Sequence, residues 1–215
     1  MGILQSFLQS NHIQAFVFDI DDTLYLEREY VRSGFNAIGQ ALSCEAFGRY
    51  CWELFEAGIR GDTFNRALTK FPEVHTSIPQ LVERYRDHIP QIALCPDAYE
   101  FLTDLHARTA VITDGPITSQ RRKFIALGLL PWIECPIFTQ ELGISKPRLA
   151  PYQLVAMTLD TPYEHCVYFG DNPAKDFAGA HALGYKTIRV RRPGALHNAQ
   201  DSGSDVDLEI TDFKL

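Results

Sequence analysis

The sequence predicts an α/β protein: a three-layer core around a central parallel sheet, with an all-α subdomain inserted near its start. Three observations predict this. Apolar runs at residues 15–18, 109–112 and 165–170 lead straight into acidic or T-D-G tips. Such runs, continuous and not alternating, belong to strands covered on both faces, as in parallel sheets. Stretches with helical spacing separate most of them, and residues 25–91 show helical spacing alone.

The elements follow in order. Residues 3–9 carry Ile3, Leu4, Phe7 and Leu8, a helical stripe able to dock on the sheet. Residues 15–24 read A-F-V-F-D-I-D-D-T-L, a buried strand that delivers carboxylates to its carboxyl end. In open α/β sheets that edge is where ligands bind. Asp19 and Asp21 are two apart, so a continuing strand would point them to one side. Carboxylates packed this closely repel unless one is protonated or a cation is present, which predicts a raised pKa or a divalent metal. A solvated acidic turn capping the next helix accounts for the same residues.

Residues 25–91 repeat apolar positions at helical spacing (Val31, Phe35, Ile38, Leu42; Phe47, Cys51, Leu54, Phe55; Leu81, Tyr85, Ile89), giving three to four helices. From Cys95 the β-α rhythm resumes. Pro96 opens a helix over 98–106 and a strand follows at 109–112. A helix over 118–127 stops at Gly128, then come a strand at 136–139 and a helix at 152–159. The run H-C-V-Y-F-G-D is a strand, a helix near 176–183 is closed by Gly184, and strands are expected at 186–190 and, weakly, at 208–210. The domain reading is therefore a core of 1–24 and 92–215, with 25–91 as the helical insertion.

Composition limits the partners. With 215 residues, 46% of them hydrophobic, the chain can bury a full core. A net charge of -7 argues against nucleic acid or an acidic membrane surface, while leaving small anions open. Five cysteines without a C-x-x-C pair fit reduced, buried residues and neither a disulfide framework nor a zinc knuckle. The start lacks a basic leader and no stretch approaches membrane-span length, so the expectation is a cytoplasmic protein, monomeric or weakly dimeric.

Strand alternation implies parallel topology, which gathers the carboxyl ends on one edge. Asp19 and Asp21, then Thr113, Asp114 and Gly115, then Asp171 fall there, with Lys146 of G-I-S-K-P within reach. An acid pair, a hydroxyl, a lysine and a further acid suit a phosphoryl group with its metal: carboxylates hold magnesium, while the lysine, hydroxyl and backbone N–H groups meet the phosphate oxygens.

The ordered set D-I-D-D-T (19–23), V-I-T-D-G (111–115), S-K-P (145–147) and G-D-N-P-A-K-D (170–176) resembles the four motifs of the haloacid dehalogenase superfamily of phosphohydrolases. It looks like the branch whose helical cap lies between the first two motifs, on a Rossmann-like core. The resemblance implies a magnesium-dependent phosphatase acting on a small phosphorylated metabolite through an aspartyl phosphate. Asp19 would be the nucleophile, and Asp21 the general acid and base, a task needing a raised pKa. Thr113 would hydrogen-bond a phosphoryl oxygen, helped by backbone N–H groups around Ile20, Asp114 and Gly115, and Lys146 would balance charge. Magnesium would be held by Asp19, Asp171 and the backbone carbonyl of Asp21, with Asp176 supporting that shell. Asp22 reads as a turn residue.

Two features qualify the match. Lys146 and Pro147 are followed by Arg148 and Leu149, where the family often places a small or acidic residue and a second proline. Asp21 favours a phosphatase, since dehalogenases of this superfamily lack the second acid. A phosphomutase on the same residues, or a non-enzymatic phosphoaspartate signalling or binding module, are the alternatives. In the insertion, Arg28, Tyr30, Arg32, Phe35, Trp52, Arg60 and Asp62 are candidates for meeting substrate. The basic runs 121–123 and 189–192 read as a solvated helix face and an exposed strand end.

Overall fold

Continuous apolar runs build the sheet. In the structure, a computed structural model that describes residues 2–215, six strands are all parallel and ordered β3-β2-β1-β4-β5-β6. They are β1 (Ala15–Phe18), β2 (Arg108–Thr113), β3 (Cys135–Phe138), β4 (Cys166–Gly170), β5 (Lys186–Val190) and β6 (Leu208–Ile210). This is a Rossmann-like α/β order, and the point where it reverses direction lies between β1 and β4. β1 pairs on both sides, Phe18 lying opposite Val111 and Phe169, which explains why all four of its residues are buried. β3 is an edge strand, the place where the missing N–H of Pro136 is tolerated.

The chain divides into two compact units: the chain up to Glu27 together with Ala93–Leu215, and Arg28–Ile92. In the first, the period of two along the strands supplies two different cores. Val17, Ile112 and Tyr168 lie in a cluster with Tyr152, Val155 and Phe177. Phe16 and Phe18 instead join Phe101, Phe169 and Phe213, with Phe18 stacked on Phe169 at 5.1 Å. The helices of this unit are α1 (Ile3–Ser10), α6 (Pro96–Asp104), α7 (Ile117–Ala126), α8 (Ala150–Thr158) and α9 (Ala178–Leu183).

The second unit holds nearly all of α2 (Glu27–Ala41), then α3 (Glu45–Glu56), α4 (Thr63–Lys70) and α5 (Ile78–Asp87). Its own core joins Val31, Phe35, Ile38, Phe47, Cys51, Phe55, Ala67 and Leu81. α3 crosses α2 so closely that a Cβ on Gly48 would overlap the Phe35 carbonyl oxygen, so only glycine fits. α5 starts with a reciprocal capping box between Ser77 and Gln80.

Candidate active site

β1 ends at Phe18, and the next residue, Asp19, still donates its N–H to the Phe169 carbonyl at 2.8 Å, so the neighbouring strand fixes its place at the sheet edge. Its carboxylate is 2.9 Å from Lys146 Nζ. The same ammonium is 2.7 Å from Asp176 Oδ1 and donates to the Tyr168 hydroxyl at 3.0 Å. Lys146 has no exposed side-chain surface; burial alone would depress its pKa, but Asp176 and Asp19 hold it well above the ordinary lysine range.

Asp171 follows β4 directly. Its Oδ2 is buried and makes no hydrogen bond. Asp19, Asp171 and Asp176 bring carboxylate oxygens within 4.8 Å of one another. Three carboxylates and one lysine leave the cluster short of positive charge. Burial, reinforced by Asp176 and Asp19, pushes Asp171 up to about 9. Burial also raises Asp19; Lys146 opposes it, Asp176 and Asp21 add to it, and the result is about 7. A hard divalent cation takes carboxylate oxygens and removes this deficit, so the donor set and the orphaned Asp171 oxygen fit magnesium.

Asp176 is itself braced. Its Oδ2 accepts from the backbone N–H groups of Asp171 at 3.1 Å and Asn172 at 2.8 Å. This loop wraps so tightly that a Cβ on Gly170 would lie 2.6 Å from Asp176 Oδ2.

Asp21 occupies a different setting. The strand does not persist to it, and its carboxylate meets α7, with Lys123 Nζ 2.7 and 2.8 Å from its two oxygens. Gln120 Nε2 donates to Oδ2 at 3.1 Å, and the Tyr25 hydroxyl donates to Oδ1. Burial pushes the Asp21 pKa up, but Lys123, Tyr25 and Gln120 together outweigh it and hold the group below the usual carboxylate range. The raised pKa expected for a general acid is thus absent from this arrangement, because α7 turns Lys123 inward onto the carboxylate and not into solvent. Asp22, at φ 53°, closes the turn by accepting from the N–H groups of Glu27 at 2.8 Å and Leu196 at 2.7 Å.

The remaining motif residues fall at the end of β2. Thr113 is buried and donates to Gln120 Oε1 at 3.0 Å. Asp114 accepts from the Thr139 hydroxyl at 2.7 Å and the Lys146 N–H at 3.2 Å, tying the S-K-P loop to this strand end. Gly115 has φ 125°, and Ile20 is fully buried behind the acid turn.

A sequence model of the haloacid dehalogenase-like hydrolases matches residues 13–184. The chain belongs to that family. It is 28% identical over 220 residues to the glyceraldehyde 3-phosphate phosphatase of Methanopyrus kandleri, covering 94% of this chain and 93% of that protein. It is 29% identical over 206 residues to the ribulose-1,5-bisphosphate 5-phosphatase of Halopiger xanaduensis, covering 81% and 83%. A haloacid dehalogenase-type hydrolase of Bacillus subtilis, solved with magnesium bound, shares the fold at TM-score 0.70 and 16% identity, with 94% and 96% covered.

On this haloacid dehalogenase-like core, sequence reasoning missed several residues. Lys123 is 3% exposed, not solvated, although Arg121 of the same run is exposed and pairs with Glu141. Arg189 is fully buried, not at an exposed strand end; it donates to the carbonyls of Asp171, Gln200 and His197 and so braces the loop bearing Asp171. Arg192 is buried too, paired with Asp97 at 3.0 Å. Glu27, raised to about 7 by burial and then by Asp21, is a further acid near the site.

Within the helical unit the candidates separate. Tyr30 and Phe35 are buried, Arg28 pairs with Glu56 at 2.6 Å, Asp62 pairs with Arg66 at 2.9 Å, and Arg60 lies 3.7 Å over the Phe55 ring. Arg32 and Trp52 line an open cavity of about 460 Å³ with Asn36, Gln40, Glu45 and Arg49.

Proposed function

We infer that the protein is a magnesium-dependent phosphomonoesterase that hydrolyses a small phosphorylated metabolite through an aspartyl phosphate on Asp19. The observation carrying this reading is the Asp19–Lys146 pair beside Asp171, whose buried Oδ2 has no protein donor. The two phosphatases named above, each acting on a small sugar phosphate, support the substrate class.

Asp19 attacks phosphorus in line, and the bond from phosphorus to the leaving oxygen breaks; Asp21, an ionised carboxylate in the arrangement above, takes a proton from solvent before it gives one to that oxygen. Asp21 then takes a proton from the water that hydrolyses the aspartyl phosphate, and inorganic phosphate leaves. Lys146 opposes the burial that raises Asp19 and so favours its ionised form for the attack and, with the Thr113 hydroxyl and the N–H groups of Ile20, Asp114 and Gly115, serves the phosphoryl oxygens. Asp19, Asp171 and the Asp21 carbonyl would hold magnesium, which would supply positive charge to nucleophile and phosphate, and Asp176 steadies the loop.

A panel of phosphorylated metabolites, assayed with magnesium and with Asp19→Asn as control, tests this. Metal-dependent release of inorganic phosphate by the wild type and none by the variant is expected. Full turnover by Asp19→Asn, or turnover unaffected by a chelator, would sink the mechanism.

A further inference from the structure

Lys123 and Gln120 touch the acid–base residue, and the chemistry above makes no use of them. Three apart on α7, they share one face of that helix. Both are under 5% exposed. Lys123 reaches both oxygens of Asp21. Gln120 spans two motif residues, donating to Asp21 Oδ2 at 3.1 Å and accepting from the Thr113 hydroxyl at 3.0 Å. The orientation of its amide is set by charge, since only the NH2 end can face a carboxylate. The Tyr25 hydroxyl also donates to Asp21 Oδ1.

We propose that Lys123 and Gln120 are positioning residues that hold the Asp21 carboxylate in one orientation and link it to Thr113. Lys123 fixes the carboxylate through both oxygens. Gln120 makes the link directional: a phosphoryl oxygen competing for the Thr113 proton would take from Gln120 Oε1 its donor, and the same amide carries that change to Asp21. The inference rests on the phosphomonoesterase reading, because it assigns Lys123 no contact with substrate and lets it act only through Asp21.

Lys123→Met, Lys123→Arg and Gln120→Met, alone and combined with Asp21→Asn, separate positioning from mere structure. With p-nitrophenyl phosphate and glyceraldehyde 3-phosphate as probes in magnesium, Lys123→Met should lower kcat about ten- to a hundredfold with KM within about threefold, and Lys123→Arg should recover most of the loss. In the Asp21→Asn background, Lys123→Met and Gln120→Met should each cost less than about twofold more. Multiplicative losses in that background, or both single Met variants within about twofold of wild type, overturn the proposal while leaving the phosphatase reading standing. Asp21→Asn at wild-type speed removes the acid–base assignment and with it anything for Lys123 to position. Should Lys123→Met fail to fold, Lys123→Arg and Gln120→Met decide by the same criteria.

Discussion

Asp19 and Asp21 leave the same strand two positions apart and enter opposite surroundings. Asp19 shares Lys146 with Asp176, beside an Asp171 oxygen that has no donor. Asp21 accepts from a lysine, an amide and a phenol. The first side is short of positive charge and the second is satisfied by the protein alone. The difference teaches that proximity in sequence does not set a carboxylate's chemistry. The elements behind it do: β4 supplies acids, α7 supplies donors.

The largest expected break in this comparison comes from the two lysines. Lys146→Met leaves Asp19 and Asp176 buried without their cation, so urea unfolding should show a loss of about 3–5 kcal/mol, with turnover lost as well. Lys123→Met faces an acid with about a fifth of its side chain exposed and should cost markedly less stability. Equal losses would show that the two sides are not electrostatically distinct.

Metal and pH sharpen the same contrast. Burial raises Asp19 to about 7 and Asp171 to about 9, against an ordinary 3.8. For acids raised in the folded state, the stabilising contribution is whole below the unfolded value and is lost as pH rises through the folded one. With chelator present, the melting temperature should therefore fall between about pH 5 and pH 9. Magnesium at about a hundred times its Kd should add roughly 5–10 °C near pH 8 and flatten that fall. Asp171→Asn should abolish the magnesium gain, and Lys123→Met should keep it. A flat chelated profile would contradict the charge deficit.

A smaller effect probes the loop behind the acids. Gly170→Ala drives a methyl to 2.6 Å from Asp176 Oδ2 and should cost about 1–3 kcal/mol in thermal unfolding while weakening the magnesium response. An unchanged response would show that Asp176 does not steady the metal side.

Much of this was legible in the chain. Continuous apolar runs ending in acids announced a parallel sheet and its functional edge, because a strand covered on both faces has only its tip to offer. Asp19, Asp21, Thr113 and Asp171 were placed at that edge in this way, and Lys146 beside it by the loop G-I-S-K-P. Lys123 was not, because a basic run reads as solvated and its partner is 102 residues away. A signal existed: Ser119, Gln120, Lys123 and Phe124 are the buried face of α7, so Lys123 stands in the inward stripe. Arg189 was hidden for a related reason. Its strand, β5, is paired on both sides, so an arginine there is buried wherever loop carbonyls stand ready to receive it.

In the proposed reaction Asp19 carries the phosphoryl group. Acid-quenching wild type, Asp21→Asn and Asp19→Asn during turnover of p-nitrophenyl phosphate with magnesium, then weighing the peptides, tests it directly. Expected is one phosphoryl group on the peptide containing Asp19, accumulating most in Asp21→Asn and absent from Asp19→Asn. Turnover by Asp21→Asn with no adduct, or an adduct that persists in Asp19→Asn, would contradict it.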